Sequence, residues 1–292
     1  DAIFIFGQNP GTNHPRMLAE LRDAHKRGAR IVSFNPLRER GLERFADPQN
    51  KMEMATLGSS PISTHYFQLR VGGDFAAVKG MMKHVLEQED QRGGVLDHAF
   101  IAEHTTGFEA LAADLRAESW ALLEQESGLT EAQIRAAGDI YIGAKNVIAC
   151  WGMGITQHKY SVATIQAIVG WLMMRGNVGR EGAGPCPVRG HSNVQGDRTM
   201  GIWEKPPAAL LDKLRDVFGF EPPRKPGVDT VEAISQMLAG QGRARCFLRW
   251  VATLLLPRQT PTKPGKPCSG ATSPCMSPPN STAATWCMGV RH

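Results

Sequence analysis

At 292 residues and 42% hydrophobic content, the chain has material for one large domain or two with sizeable cores. No apolar run approaches the length of about 18 residues that spans a bilayer, so no membrane span is expected. Residues 250–292 carry Arg258, Lys263, Lys266 and Arg291 and no acid, so the net charge of +5 is mostly theirs. The body is near neutral, which argues against a nucleic-acid partner.

The chain opens inside a strand, AIFIF (2–6), without a methionine or a signal sequence. It reads as a fragment of a longer, cytoplasmic protein. A turn-rich loop, GQNPGTNHPR, follows. Thr12 or Asn13 is expected to cap a helix with Pro15 in its first turn and Met17, Leu18 and Leu21 on its buried face. RIVSF (30–34) is a second strand, followed by NPLRERG. Strand, helix and strand in this spacing predict a βαβ unit of a doubly wound sheet, with polar loops at the strand C-termini where ligands bind.

Residues 60–145 read as a mostly helical insertion. Asp74 is expected to cap a helix whose stripe is Phe75, Val78, Met82 and Val85. Thr130 and Gln133 fit a capping box for a helix over 131–142. His84, His98 and His104 are expected to be solvated or satisfied in the core. NVIACWG (146–152) is another buried strand, followed by GMGITQH and a helix over 160–174. A polar, glycine-rich stretch then runs to Gly201 and reads as loop. Helices are expected over 207–218 and over 230–239, the second with Asp229 and Glu232 as its capping box. A strand is expected at 245–248. The fold class is therefore α/β: a doubly wound parallel sheet over 1–190, and the start of a second, incomplete α/β domain over 191–249.

No GxGxxG or Walker motif is present, and Gly152-Met153-Gly154 lacks a third glycine. What remains is three groups of polar, glycine-bearing loops: 7–16, 35–41 with 152–158, and 184–201. Glycine lets backbone N–H groups approach an anion, and Asn, Gln, Thr and Asp supply directional bonds to a heterocycle or ribose. Several such loops suit an extended dinucleotide. Asn9, Thr12 and Asn13 also read as plain turn and cap residues. His14 reads as a loop histidine rather than a metal ligand. Arg38 and Arg40 read as solvated charges that only their place after a strand raises. The six cysteines form no CxxC, so no metal site is expected from this chain alone. Cys186 reads as a structural thiol, since no thiolate-stabilising partner is visible. Arg189, between Val188 and Gly190, reads as an inward-facing cation. His191 could shuttle a proton or bond the backbone.

These segments carry a resemblance. GQNPGTNHPRML (7–18), NPLRERGLERF (35–45), GMGITQH (152–158), GNVGREGAGPCPVRGHSNVQGDRTMG (176–201) and EKP (204–206) are similar to the molybdopterin oxidoreductases. Within these the resemblance is to the formate dehydrogenase alpha-subunit-like branch of the dimethyl sulfoxide reductase superfamily, over residues 1 to about 249. It implies Rossmann-like domains that hold molybdenum bis(molybdopterin guanine dinucleotide). By that resemblance Asn9, Thr12, Asn13, His14 and Arg16 contact one dinucleotide near its phosphates. Asn35 and Arg38 approach a guanosine end, and Gly152, Met153, Gly154, Thr156, Gln157 and His158 lie against a pterin or phosphate arm. Gly190, Asn193, Gln195, Gly196 and Asp197 continue the cofactor lining. Arg189 matches the arginine that orients a carboxylate substrate, with His191 beside it. Formate dehydrogenases commonly carry RGQNNVQG, whereas His191-Ser192 stands here, a change that bears on the choice of substrate.

The resemblance further implies a small-molecule substrate, formate among the candidates, and an electron-transfer partner. It places a [4Fe-4S] cluster and the molybdenum ligand upstream of this chain and a pterin-binding barrel downstream, so the fragment alone is expected to be inactive. Codons for Trp250 to His292 read one base out of frame can give GGNFAAATPDT, similar to the family's own continuation. The tail is therefore expected to follow a frameshift near Arg249 and to lack packing. The readings left open are a fragment of a molybdenum oxidoreductase, a nucleotide- or pterin-binding module without redox chemistry, and an inactive truncated product.

Overall fold

Alternating bulky apolar residues make Ala2–Phe6 (β1) a strand with both faces buried. The structure, a computed structural model, describes residues 1–56, 58–203, 205–238 and 289–290. Two compact units meet in the chain at Gly190 and His191: the first holds 1–190 with 283–292, the second 191–282.

In the first unit β1 leads into α1 (Pro10–Asn13), α2 (Met17–Lys26) and β2 (Arg30–Phe34). A small excursion follows: α3 (Arg40–Glu43), β3 (Arg44–Phe45), α4 (Lys51–Thr56) and β4 (Ser60–Pro61), with β3 and β4 antiparallel. Then come β5 (His65–Phe67), α5 (Asp74–Arg92), α6 (His98–His104), β6 (Thr105–Thr106), α7 (Phe108–Ala117), α8 (Trp120–Ser127) and α9 (Glu131–Ile142). β7 (Val147–Trp151), α10 (Met153–Thr156), α11 (Ser161–Met173) and β8 (Gly184–Pro187) complete it, and Thr105–Thr106 pairs with β9 (Gly289–Val290).

The main sheet is parallel throughout, in the order β5-β2-β1-β7-β8. Helices cover both faces, so the fold is a Rossmann-like doubly wound α/β sheet. On one face Phe4, Phe6, Val32, Phe34, Phe67, Ala149 and Trp151 join Met81 and Val85 of α5, Tyr141 of α9, and Ile168 and Trp171 of α11. The alternate residues Ile5, Ile31 and Cys150 pack with Leu18 and Leu21 of α2 on the other face. Phe6 stacks on Phe34 at 5.0 Å and Phe34 on Phe67 at 5.2 Å, a ladder of rings across three neighbouring strands.

The helical insertion forms, but it contains β5, which joins the main sheet beside β2. His84 is satisfied in the core, its Nε2 2.7 Å from Asp139 Oδ1 and its Nδ1 accepting from Arg135 at 2.9 Å, whereas His98, 2.8 Å from Glu89, and His104 are exposed. The Thr130–Gln133 capping box is present in both directions.

Four local expectations are corrected. Neither Thr12 nor Asn13 caps α2, whose N-cap is Arg16 without a side-chain bond and which Pro15 precedes; Asn9 caps the short α1, its Oδ1 accepting from Gly11 N at 3.0 Å. The short asparagine side chain reaches a backbone donor two residues on, which makes α1 a separate turn. Asp74 is not the cap of α5; Gly73 is, and Asp74 occupies the first helical position. Gly184–Pro187, read as loop, is the edge strand β8. Val188 N–H donates to Trp151 O at 2.9 Å, so the N–H groups of alternate positions 185 and 187 would point away from the sheet. Both positions are proline, which has no N–H there, so this edge offers no donor row to a further strand.

Asp74 is 5% exposed and its Oδ1 has no hydrogen-bond partner. Burial pushes its carboxyl up to about 6. A carboxyl whose folded value lies above its unfolded value favours folding at low pH, and that contribution is lost as pH rises through about 6. Asp74→Asn is therefore expected to stabilise the protein on the order of 2 kcal/mol at pH 7 and to give no gain below about pH 4. Urea unfolding midpoints at the two pH values check this.

In the second unit the described residues hold α12 (Val194–Thr199), α13 (Ala208–Phe218) and α14 (Thr230–Leu238), and no strand. Asp229 Oδ1 accepts from Glu232 N at 2.7 Å, one half of the expected capping box. The strand expected at 245–248 lies outside the described residues, as does the tail from Trp250 apart from Gly289 and Val290.

Candidate functional site

The strand order places β1 next to β2 on one side and β7 on the other, although β7 follows β1 by some 140 residues of chain. The loops that leave the C-terminal ends of β1 and β7 therefore diverge at the point where the order reverses, where open α/β sheets bind ligands. Those loops are 7–16 and 152–158.

Glycines join the loops backbone to backbone. Gly7, with φ +53°, faces Gly154, and Gly154 N–H donates to Gly7 O at 3.1 Å. A Cβ added at Gly11 would lie 2.7 Å from Gly41 Cα, which brings the loop after β2 against the loop after β1. The sequence reading assigned loop glycines to anion contact. Gly7, Gly11, Gly41 and Gly154 let three loops touch, while a Cβ at Gly190 or Gly196 would meet open space.

Thr12 Oγ1 donates to Asn9 O at 3.0 Å, so Asn9 and Thr12 both brace the turn. His14 Nδ1 lies 2.9 Å from Asn13 Oδ1, and its Nε2 lies 3.1 Å from Arg189 O. With Nε2–H donating to that carbonyl, an Asn13 amide turned to present N–H satisfies both ring nitrogens. His14 thus connects the loop after β1 to the chain end of β8, a link across 175 positions. Arg16 is exposed at the start of α2. Asn35 is buried, and its Nδ2 donates to Leu37 O and Glu39 Oε2, each at 2.7 Å. Its amide is spent holding its own loop. Arg38 is exposed, 2.5 Å from Glu43 and over the Tyr66 ring, and that ion pair raises its already high pKa.

Gly152 is buried at the end of β7, and Met153, Gly154, Thr156 and Gln157 are exposed around α10. His158 is half-buried, and its Nε2 is buried with no hydrogen-bond partner. Arg189, expected to face inward, is exposed instead, because it follows the edge strand β8, and its guanidinium makes no bond among the described residues. His191, Asn193, Gln195, Gly196 and Asp197 belong to the second unit, all exposed; there Asp197 N–H donates to Asn193 O at 3.0 Å and Thr199 Oγ1 to Gln195 O at 2.9 Å.

Gln8 was missed. It follows β1 and is 2% exposed; among the described residues its Oε1 has no partner and its Nε2 reaches only the Met17 sulfur at 3.4 Å. A buried amide carbonyl without a donor carries a desolvation cost of about 1–3 kcal/mol. The available signal was its place, the first polar side chain after a fully buried strand. Two orphaned polar atoms, Gln8 Oε1 and His158 Nε2, thus sit on the two loops of the switch point. Of the exposed arginines, Arg16 ends the loop after β1, Arg38 and Arg40 follow β2, and Arg189 follows β8. The chemistry available is hydrogen bonding to a heterocycle and cationic contact to phosphate or carboxylate. Among the described residues no cluster of His, Cys, Asp and Glu could hold a metal ion, and no helix is long and apolar enough to cross a membrane.

No family profile matches the chain. It is 47% identical over 249 residues to Protein YdeP of Escherichia coli K12, covering 84% of this chain and 33% of that protein. It is 44% identical over 242 residues to the uncharacterized oxidoreductase Rv2900c of Mycobacterium tuberculosis H37Rv (82% and 31%), and 32% identical over 201 residues to formate dehydrogenase H of Escherichia coli K12 (69% and 25%). The chain belongs to the molybdopterin oxidoreductases. It spans from 25% to 33% of the length of these curated relatives. The fold agrees with that of acetylene hydratase from Pelobacter acetylenicus, with a TM-score of 0.51 at 19% identity over 62% of this chain and 22% of that one. Within that family, this chain holds a doubly wound sheet whose switch-point loops carry buried polar atoms without partners among the described residues.

Proposed function

We propose that the first unit cradles one arm of a bis(molybdopterin guanine dinucleotide) molybdenum cofactor, in a parent enzyme that moves two electrons between a small anionic substrate and an electron-transfer partner. The observation that carries this reading is the pair of orphaned buried atoms, Gln8 Oε1 and His158 Nε2, on the two loops that diverge at the strand-order reversal. When bound, the cofactor supplies the redox chemistry.

The chain's own residues do the rest. Gln8 Oε1 accepts from a ring or amide N–H, and His158 Nε2 bonds a polar group of the pterin arm. Asn9, Thr12, Asn13 and His14 shape the loop beside it, with Gly152, Met153, Gly154, Thr156 and Gln157 as its opposite wall. Arg16 and Arg38 offer charge to phosphates, and Asn35 fixes the loop that carries Arg38. Gly190 closes the first unit, and by the family resemblance Asn193, Gln195, Gly196 and Asp197 of the second unit are candidate cofactor contacts in their own right. Arg189 has a guanidinium free to pair with a carboxylate, held in place through its carbonyl by His14. His191 is the nearest titratable side chain along the chain and the candidate proton carrier. A [4Fe-4S] cluster belongs, on this reading, to another part of the parent.

The test is acid release from protein expressed in its own gene context. Guanosine monophosphate and oxidised pterin in equal amounts, two per molybdenum or tungsten, are expected. Protein that is folded yet free of pterin and guanine nucleotide would sink the proposal. Bound cofactor without dye-linked turnover would leave the binding-module reading. In an active parent, Arg189→Ala is expected to lower kcat/KM for an anionic substrate by about 100-fold with unchanged cofactor content, the loss of one charge-assisted contact.

A further inference from the structure

The ladder between β7 and β8 sets Cys150 directly opposite Cys186. In-register residues of neighbouring parallel strands point to the same face, and their strands lie about 4.8 Å apart. That spacing falls within the Cα–Cα window of roughly 4.4–6.8 Å in which disulfides form. Both thiols are free. The two differ in access: Cys150 is 3% exposed, packed with Ile5 and Ile31, whereas Cys186 is exposed. β8 is an edge strand with one neighbour, so it can shift by the few tenths of an ångström that closing an S–S bond requires.

We propose that Cys150 and Cys186 form a peroxide-responsive dithiol that closes to a disulfide across β7 and β8, with Cys186 as the reacting thiol and Cys150 as the resolving one. The sequence reading of Cys186 as inert had no partner to offer it; the sheet supplies one. Hydrogen bonding with Cys150 holds the Cys186 thiol down to about 6, while that contact and burial push the Cys150 thiol up. The negative charge thus rests on the exposed sulfur and the proton on the buried one. An acidified, accessible cysteine beside a resolving cysteine is the arrangement that oxidises reversibly.

The steps balance with hydrogen peroxide as oxidant. The Cys186 thiolate attacks one peroxide oxygen, an S–O bond forms, the O–O bond breaks and hydroxide leaves. Cys150 sulfur then attacks the sulfenic sulfur, the S–S bond forms and the S–O bond breaks. The departing oxygen leaves as water. Over both steps the thiols lose two electrons and two protons, and the peroxide becomes two waters. The product ties the strand that leads to Gly152 to the strand that leads to Arg189.

The experiment is peptide mapping of the full 292-residue chain after brief peroxide exposure, with and without dimedone. A Cys150–Cys186 cross-linked peptide lighter by two hydrogens is expected, reversed by dithiothreitol, and forming with a rate midpoint below the ~8.5 of a free thiol. Cys150→Ala should trap the dimedone adduct on Cys186. Cys186→Ser, a change at an exposed position, should lose both link and adduct. Oxidation of Cys186 to sulfinic acid without the link would overturn the proposal. So would absence of reaction, or preferential pairing with Cys246, Cys268, Cys275 or Cys287.

Discussion

Gly154→Val is expected to abolish cofactor loading while leaving the helical insertion folded. A Cβ at Gly154 would fall inside contact distance of Gly7 O and 3.0 Å from Gly7 C and Gly7 Cα. Those atoms are backbone at the end of β1, so no side chain can swing away. Relief comes only by parting the two loops, which breaks the 3.1 Å bond from Gly154 N–H to Gly7 O. Overpacking of this kind costs about 1–3 kcal/mol. The parting also moves Gln8 and His158, whose unpartnered atoms form the proposed contacts. Pterin content per polypeptide, read beside the far-ultraviolet circular dichroism, decides it. Gly227→Ala, at a glycine with open space around it, serves as the control. Full pterin content in Gly154→Val would show that these loops do not hold the cofactor.

The larger loss of stability is expected from Trp171→Ala. Trp171 is fully buried and packs against Tyr141 at 4.1 Å and Phe4 at 4.9 Å, the latter edge to face. Removing it opens a cavity between α11 and the sheet, which cannot collapse because β1 is fixed by ladders on both sides. The cost is about 3–5 kcal/mol, which lowers Tm by roughly 6–20 °C for a unit of this size. The indole Nε1 has no partner, so Trp171→Phe removes an orphaned donor along with less volume and should cost less. Thermal unfolding of the three proteins side by side gives the ranking, and equal losses for Ala and Phe would contradict the packing argument.

Much of the fold is written locally. Ala2–Phe6, Arg30–Phe34 and Val147–Trp151 declare themselves because strands buried on both faces need continuous apolar, β-branched runs. Thr130 and Gln133 declare a helix start because both capping bonds lie within four residues. The resemblance in the loops at 7–18, 152–158 and 176–201 pointed to the family, which the relatives support.

Other features depend on residues far apart in the chain, and no local pattern encodes them. Pro185-Cys186-Pro187 has no strand propensity, and it pairs because an edge position tolerates the missing N–H groups. Asp74 is a good cap residue by type, yet the packing of Gly73 against the Ser127 carbonyl moves the helix start by one residue and buries the acid. The meeting of Gly7 with Gly154, of His14 with the Arg189 carbonyl and of Cys150 with Cys186 follows from strand order and register. The sequence by itself determined the long buried strands, most of the helices, the loops that carry polar chemistry and the family, since those rest on short-range periodicity and side-chain type. The tertiary structure alone decided which loops touch, which polar atoms are left without a partner and which thiol faces which, because contacts between distant residues exist only once the sheet has been assembled.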